Sequence, residues 1–250
     1  MKTVILLSRK GGVGKTATAH ALGAGLAKRK KRVLFIDADG QANLTLSLKG
    51  NEEGIGLYEV LSQENTLKDA MQKTDCGYLV PANEILQAAD TTLNGKNRQN
   101  RLRDALRSVE KDFDYCIIDT PAALGIVTIN CLVAADKVIV PLQLDIYSLQ
   151  GINRLCKALE VVQKDCGSKA RISGFLVTRC KPNTNLSRQL LETLEKIAKN
   201  VNARVYESKI RECNAIMEAA LNQTDIYEHA PRSNAAYDYE KFVDEFIKQR

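Results

Sequence analysis

The sequence predicts an α/β protein, a single doubly wound and mostly parallel sheet with helices on both faces. Two observations predict it. Short apolar runs recur at residues 4–7, 33–36, 115–118, 137–142 and 172–177, the form of parallel strands buried on both faces. Stretches with apolar residues at helical spacing lie between them. At 250 residues the chain is long enough for a full core, and the expectation is one domain spanning 1–250.

The first strand, Val4-Ile5-Leu6-Leu7, runs into Ser8-Arg9-Lys10-Gly11-Gly12-Val13-Gly14-Lys15-Thr16. An alanine-rich helical pattern follows, with Ala17, Ala19, Leu22, Ala24, Leu26 and Ala27 as its small and apolar members. Strand, glycine loop and helix in that order are the context of a phosphate-binding loop. Gly11, Gly12 and Gly14 open backbone angles closed to other residues, so successive N–H groups can turn inward around an anion. The helix start adds its positive dipole end. Lys15 is placed for the β- and γ-phosphates and Thr16 for Mg²⁺. The alternative, a glycine turn with incidental lysines, fits the flanking strand and helix poorly.

The usual motif wants glycine where Arg9 stands, and Lys10 puts a second lysine in the loop. This deviant Walker A form, Lys-Gly-Gly-Val-Gly-Lys-Thr, resembles the ParA/MinD class of P-loop ATPases. The resemblance implies a P-loop NTPase fold, ATP and Mg²⁺ as cofactors, and nucleotide contacts from Gly11, Gly12, Val13, Gly14, Lys15, Thr16 and Ala17. It also implies that Lys10 reaches across a homodimer interface to the partner's nucleotide.

Residues 33–36 form the second strand, ending at Asp37-Ala38-Asp39-Gly40-Gln41-Ala42-Asn43. Carboxylates past the C-terminal end of a parallel strand lie where such sheets bind ligands, although acidic residues there also cap helices. The segment resembles the family's Asp-x-Asp-Pro-Gln-x-Asn, with Gly40 in place of proline. By that resemblance Asp39 orients the attacking water, as a catalytic residue with Lys10 and Lys15, and Asp37 lies near the metal's hydration shell.

Residues 44–110 are less informative. A turn and short helix are expected over 54–61, a strand over 77–80 and a helix over 98–109, all as scaffold. Tyr115-Cys116-Ile117-Ile118-Asp119 is the clearest buried strand, and its terminal aspartate suits a Walker B position that holds Mg²⁺ through water. Capping of the next element is the other use of such an aspartate. The following Pro121-Ala122-Ala123-Leu124-Gly125 resembles the family's Pro-Pro-x-Leu-Gly, with Ala122 replacing the second proline.

Residues 137–143 give another strand. With Asp145, Tyr147, Leu149 and Gly151 they resemble the family's Pro-x-Gln-x-Glu-Tyr-x-Ala-Leu-x-Gly, Asp145 replacing glutamate. A helix over 151–162 and a strand over 172–177 follow, and the resemblance carries Arg179 over as an adenine contact.

Residues 181–211 hold seven Lys and Arg (181, 188, 196, 199, 204, 209 and 211) against three Glu (192, 195 and 207). With Tyr206 as its single aromatic, the stretch suits phosphate contacts rather than base readout, and a solvated helix face accounts for the charge nearly as well. Members of the family bind DNA nonspecifically through this third of the chain, which nominates Arg188, Arg204, Lys209 and Arg211. Residues 210–213 and 218–220 resemble the family's Ile-Pro-Arg-Asn and Glu-Ala-Pro segments without their prolines. At the C-terminus Tyr239, Phe242, Val243, Phe246 and Ile247 form an apolar stripe. Its mixed-sign flanks favour docking on its own sheet over a membrane surface.

The seven cysteines lack Cys-x-x-Cys spacing and read as reduced, mostly buried thiols. A net charge of +6 permits a polyanionic partner without demanding one. No apolar run is long enough to span a bilayer and the first strand begins at residue 4, so neither membrane nor leader peptide is expected. The expectation is a cytoplasmic, nucleoid-associated partition ATPase of the ParA/Soj type, stimulated by a ParB-type adaptor. A MinD-like membrane-cycling ATPase and a ligase of the dethiobiotin synthetase type share the loop. A nitrogenase iron-protein-like reductase needs cluster cysteines, and none follows Asp119 closely.

Overall fold

The computed structural model describes residues 1–180 and 185–248. Eight strands form one sheet: β1 (Lys2–Leu6), β2 (Val33–Asp37), β3 (Gln72–Thr74), β4 (Gly77–Val80), β5 (Tyr115–Asp119), β6 (Lys137–Leu142), β7 (Arg171–Val177) and β8 (Arg204–Val205). Their order is β3-β4-β2-β5-β1-β6-β7-β8, and every neighbouring pair is parallel except β3 with β4. The predicted doubly wound sheet is therefore observed, with one short antiparallel edge strand that nothing in the sequence announced.

Alternation along β1 shows why both faces must be covered. Val4 and Leu6 enter one apolar layer, and Ile5 and Leu7 the other. The first layer is closed by α1 (Lys15–Lys28) and by the C-terminal helix. The second is closed by α2 (Ile126–Ala134), α3 (Ile146–Cys166) and α4 (Asn185–Asn200). The C-terminal helix, α5 (Asn234–Ile247), buries Tyr239, Phe242, Val243 and Phe246. Phe242 meets Tyr206 edge-on at 4.9 Å between centroids, and Tyr239 shares a hydrogen bond with Thr18 of α1 at 3.2 Å. The apolar stripe thus docks on the protein's own core. Ion pairs from Arg29 to Asp244 and from Arg32 to Asp114 occupy two members of the basic cluster after α1.

Several expectations are corrected. The predicted helix over 151–162 starts at Ile146, because the Asp145 carboxylate accepts from Ser148 N at 2.9 Å and caps it. Gly167, in the left-handed region at φ 66°, ends it. The predicted helix over 98–109 is a short α-helix, Arg101–Leu106, flanked by 3₁₀ turns. All seven cysteines are free thiols: Cys116 and Cys131 are fully buried, and the other five are half-buried.

Candidate functional site

Topology assembles the site. β5 lies between β1 and β2, and its last residue, Asp119, is in register with Leu6 on one side and Asp37 on the other. The glycine loop leaves β1, Asp37 ends β2 and Asp119 ends β5, so three sequence-distant features meet at one sheet edge. Gly14 sits at the N-cap of α1 with φ 84°, and Gly12 at φ 72°. Both are backbone conformations that L side chains rarely adopt. No side chain caps α1 and its first turn holds no acid, so its positive end is open to an anionic ligand. Lys15, Thr16 and Ala17 form that first turn and are half-buried, Val13 is buried beneath the loop, and Gly11 and Gly12 are exposed.

Asp119 is buried, and its Oδ2 accepts a 2.6 Å hydrogen bond from the Thr16 hydroxyl. Its Oδ1 is buried without a partner. Burial, then the Asp37 charge, push Asp119 up to about 8 against the Thr16 hydrogen bond and Lys15. Asp37 is pushed up to about 6, chiefly by burial, against hydrogen bonds from Thr45 and from Asp39 N. Two buried carboxylates thus end neighbouring strands in register, and burial disfavours the charge on each. That donor set fits Mg²⁺, with Thr16 and Asp119 nearest the phosphate loop. Among the described residues no group of three or more His, Cys, Asp or Glu is placed to hold a metal. Such an ion needs phosphate oxygens and water to complete its shell.

Asp37 itself is well occupied. Its Oδ2 takes Thr45 N at 2.7 Å and Thr45 Oγ1 at 2.8 Å, and its Oδ1 takes Asp39 N at 3.1 Å. These bonds suit an outer-shell place better than direct ligation. Asp39 is half-buried at the mouth, its carboxylate accepting from Gln41 N at 3.2 Å.

Lys10 is exposed and lies toward the other side of the loop. Its ammonium bonds Asp145 Oδ2 at 2.8 Å and Gln143 Oε1 at 3.3 Å. Arg179, at φ 48°, pairs with Glu212 at 3.0 Å and reaches Gly12 O at 3.5 Å, so it borders the phosphate loop. The DNA candidates do not form one set. Arg188 is exposed on α4, Arg204 lies 5.2 Å from the Tyr206 ring, and Lys209 is half-buried. Arg211 is committed to the buried Asp238 through bonds of 2.9 Å and 2.6 Å, which makes it a clamp between the β8 loop and α5. Lys181 lies outside the described residues.

Three threonines supporting the site escaped the sequence reading. Thr178 Oγ1 bonds Val13 O at 2.8 Å, tying the loop to the end of β7. Thr120 Oγ1 bonds Leu6 O at 2.7 Å, and Thr45 holds Asp37. Each supports a neighbour rather than a ligand, so no motif marks it.

The architecture defines a P-loop nucleotide-binding protein. A sequence profile described as AAA domain matches residues 1–172. Sporulation initiation inhibitor protein Soj of Bacillus subtilis is 35% identical over 243 residues, covering 95% of each chain. Chromosome-partitioning ATPase Soj of Thermus thermophilus is 34% identical, covering 99% of this chain and 96% of its own. Among solved structures, apo McdA of Cyanothece superposes with TM-score 0.88 at 25% identity, over 98% of this chain and 99% of that one. Cobyrinic acid a,c-diamide synthase of Mycobacterium smegmatis, with bound ADP and magnesium, gives 0.84 at 30%, over 99% and 94%. The chain belongs to the ParA/Soj family of partition ATPases.

Among the described residues, no helix is long and apolar enough to cross a membrane.

Proposed function

We propose that the chain hydrolyses ATP as a face-to-face homodimer, binds DNA nonspecifically in that state and releases it on hydrolysis stimulated by a ParB-type adaptor. The observation that carries this reading is the position of Lys10. It is a loop lysine turned toward Asp145 and Gln143, while Lys15 is the lysine that acts on the Asp119 charge. A second lysine beyond its own phosphate corner is useful to a nucleotide bound by a second copy.

The loop amides and Lys15 would hold the phosphates, and Thr16 and Asp119 would hold Mg²⁺. The metal supplies charge neutralisation at the transferring phosphoryl group. Asp39 orients water, and Lys10 of the partner completes the charge at the γ-phosphate only in the dimer, which makes assembly a condition of turnover. Pairing two copies doubles the basic surface around Arg188, Arg204 and Lys209, so DNA affinity rises by multivalency. Burial of the C-terminal apolar stripe favours DNA over a lipid surface as the polyanion.

Co-sedimentation with ATP tests this reading against its nearest rival. Retention by plasmid DNA and not by anionic liposomes supports it, and the reverse overturns it. A second reading, a small-molecule ATP-dependent ligase, draws on the likeness to cobyrinic acid a,c-diamide synthase, a synthase by name that is solved with ADP and magnesium bound. ATP turnover that needs an added carboxylate substrate and ignores DNA would favour that reading.

A further inference from the structure

The region read as scaffold contains a segment that touches both loops of the proposed hydrolytic site. A 3₁₀ turn, Glu84–Ala88, continues directly into a helical turn, Ala89–Thr92. Leu86 and Ala89, three positions apart, are buried and anchor it in the core. Gln87 and Asp90, also three apart, lie on its exposed side. Gln87 Nε2 donates to Gly40 O at 3.1 Å, one residue after Asp39. Asp90 Oδ1 accepts from Ile126 N at 2.5 Å, at the end of the run that begins with Asp119.

Both contacts depend on missing side chains. The N-cap of α2 is Gly125, which has no side chain to cap with, and the cap comes instead from Asp90. A Cβ at position 125 would collide with the Asp90 carboxylate. A Cβ at position 40 would lie 2.5 Å from Gln87 Cγ and 3.1 Å from Gln87 N. Position 40 is where the resembling family has proline, whose ring carries that Cβ. Glycine there and Gln87 above it are therefore a matched pair.

We propose that residues 84–92 are a strap that holds the Asp39 loop and the Asp119 loop in one register, with Gln87 and Asp90 as positioning residues for hydrolysis. The proposal rests on the reading of those two loops as the hydrolytic site. A cap alone would stabilise α2 and leave turnover untouched; a strap makes each loop sensitive to the other's tether.

The test uses Gln87→Ala, Asp90→Ala and Asp90→Asn in the full chain. Steady-state ATP turnover is measured together with amide hydrogen exchange across residues 37–43 and 119–126. Gln87→Ala and Asp90→Ala are expected to lower kcat about fivefold or more with KM within about twofold, and Asp90→Asn, which still offers an accepting oxygen, to recover most of it. Gln87→Ala should also speed exchange over 119–126, a loop it does not touch. Faster exchange confined to 37–43, with kcat as in the parent, would overturn the strap. Gln87 is exposed, so its variant keeps the test open if Asp90→Ala folds poorly. Asp39→Ala is run alongside. Parental turnover there would sink the hydrolytic reading itself, and the exchange experiment would still decide the strap.

Discussion

Lys10 Nζ lies 2.8 Å from Asp145 Oδ2, so the extra lysine of the phosphate loop is tethered to the residue that caps α3. Burial pushes Asp145 up, but hydrogen bonds from Lys10 and Ser148 outweigh it and leave the carboxyl below its usual range. In the proposed cycle Lys10 must leave this pairing before it can serve a partner's nucleotide.

Asp145→Asn keeps a capping oxygen and removes the charge that holds Lys10. An exposed ion pair is worth up to about 1 kcal/mol, so ATP-dependent association should tighten by about two- to fivefold per subunit. Sedimentation velocity across a concentration series measures it. Weaker association would mean that Asp145 helps the dimer rather than restrains Lys10.

Asp119 sets a pH dependence. Its carboxyl, raised to about 8 in the fold, ionises near 4 in the unfolded chain, about four units lower. A raised carboxyl stabilises the fold when protonated, so the contribution is full at low pH and is lost as pH rises through about 8. Asp37, raised to about 6, acts in the same direction over a lower window. Thermal melts of nucleotide-free, metal-free protein should therefore show Tm falling between about pH 4 and about pH 8 from this term. Asp119→Asn should flatten the upper part of that slope. ATP with Mg²⁺ should flatten it in the parent, because the cation then compensates the carboxylate. An unchanged slope in Asp119→Asn would place the titrating group elsewhere.

Basic residues of the C-terminal third should divide into two kinds. Arg188→Glu with Lys196→Glu changes exposed positions of α4. This pair should weaken ATP-dependent DNA binding and shallow its log–log salt dependence by about 0.9 per lost phosphate contact, with no change in Tm. Arg211→Ala strands the buried Asp238 carboxylate and should lower Tm first. Fluorescence anisotropy over a salt series, with melts in parallel, separates the two. Unchanged DNA binding in the α4 variant would move the interface off that helix.

The parallel strands and the phosphate loop were legible because each is a continuous run whose pattern follows from its own burial or backbone chemistry. Asp37 and Asp119 were legible because a carboxylate at a strand's C-terminal end is conspicuous against apolar neighbours. What escaped was contact between distant parts of the chain. Thr178 under Val13, Thr45 on Asp37 and Asp90 on Ile126 are set by tertiary approach, and each looks like ordinary loop polarity in sequence. Arg211 shows the same limit: charge counting registers a cation and cannot see its partner 27 residues on. The start of α3 lies five residues before the expected Gly151 because Asp145, a family position in the sequence, is also the helix cap.

The central claim is that the second lysine acts in trans, and the oligomeric state of Lys10→Ala with ATP and Mg²⁺ tests it most directly. Light scattering after size exclusion should give a dimer for the parent and a monomer for the variant, with ATP still bound through Lys15 and the loop amides. A Lys10→Ala protein that dimerises and turns over ATP like the parent would contradict the account.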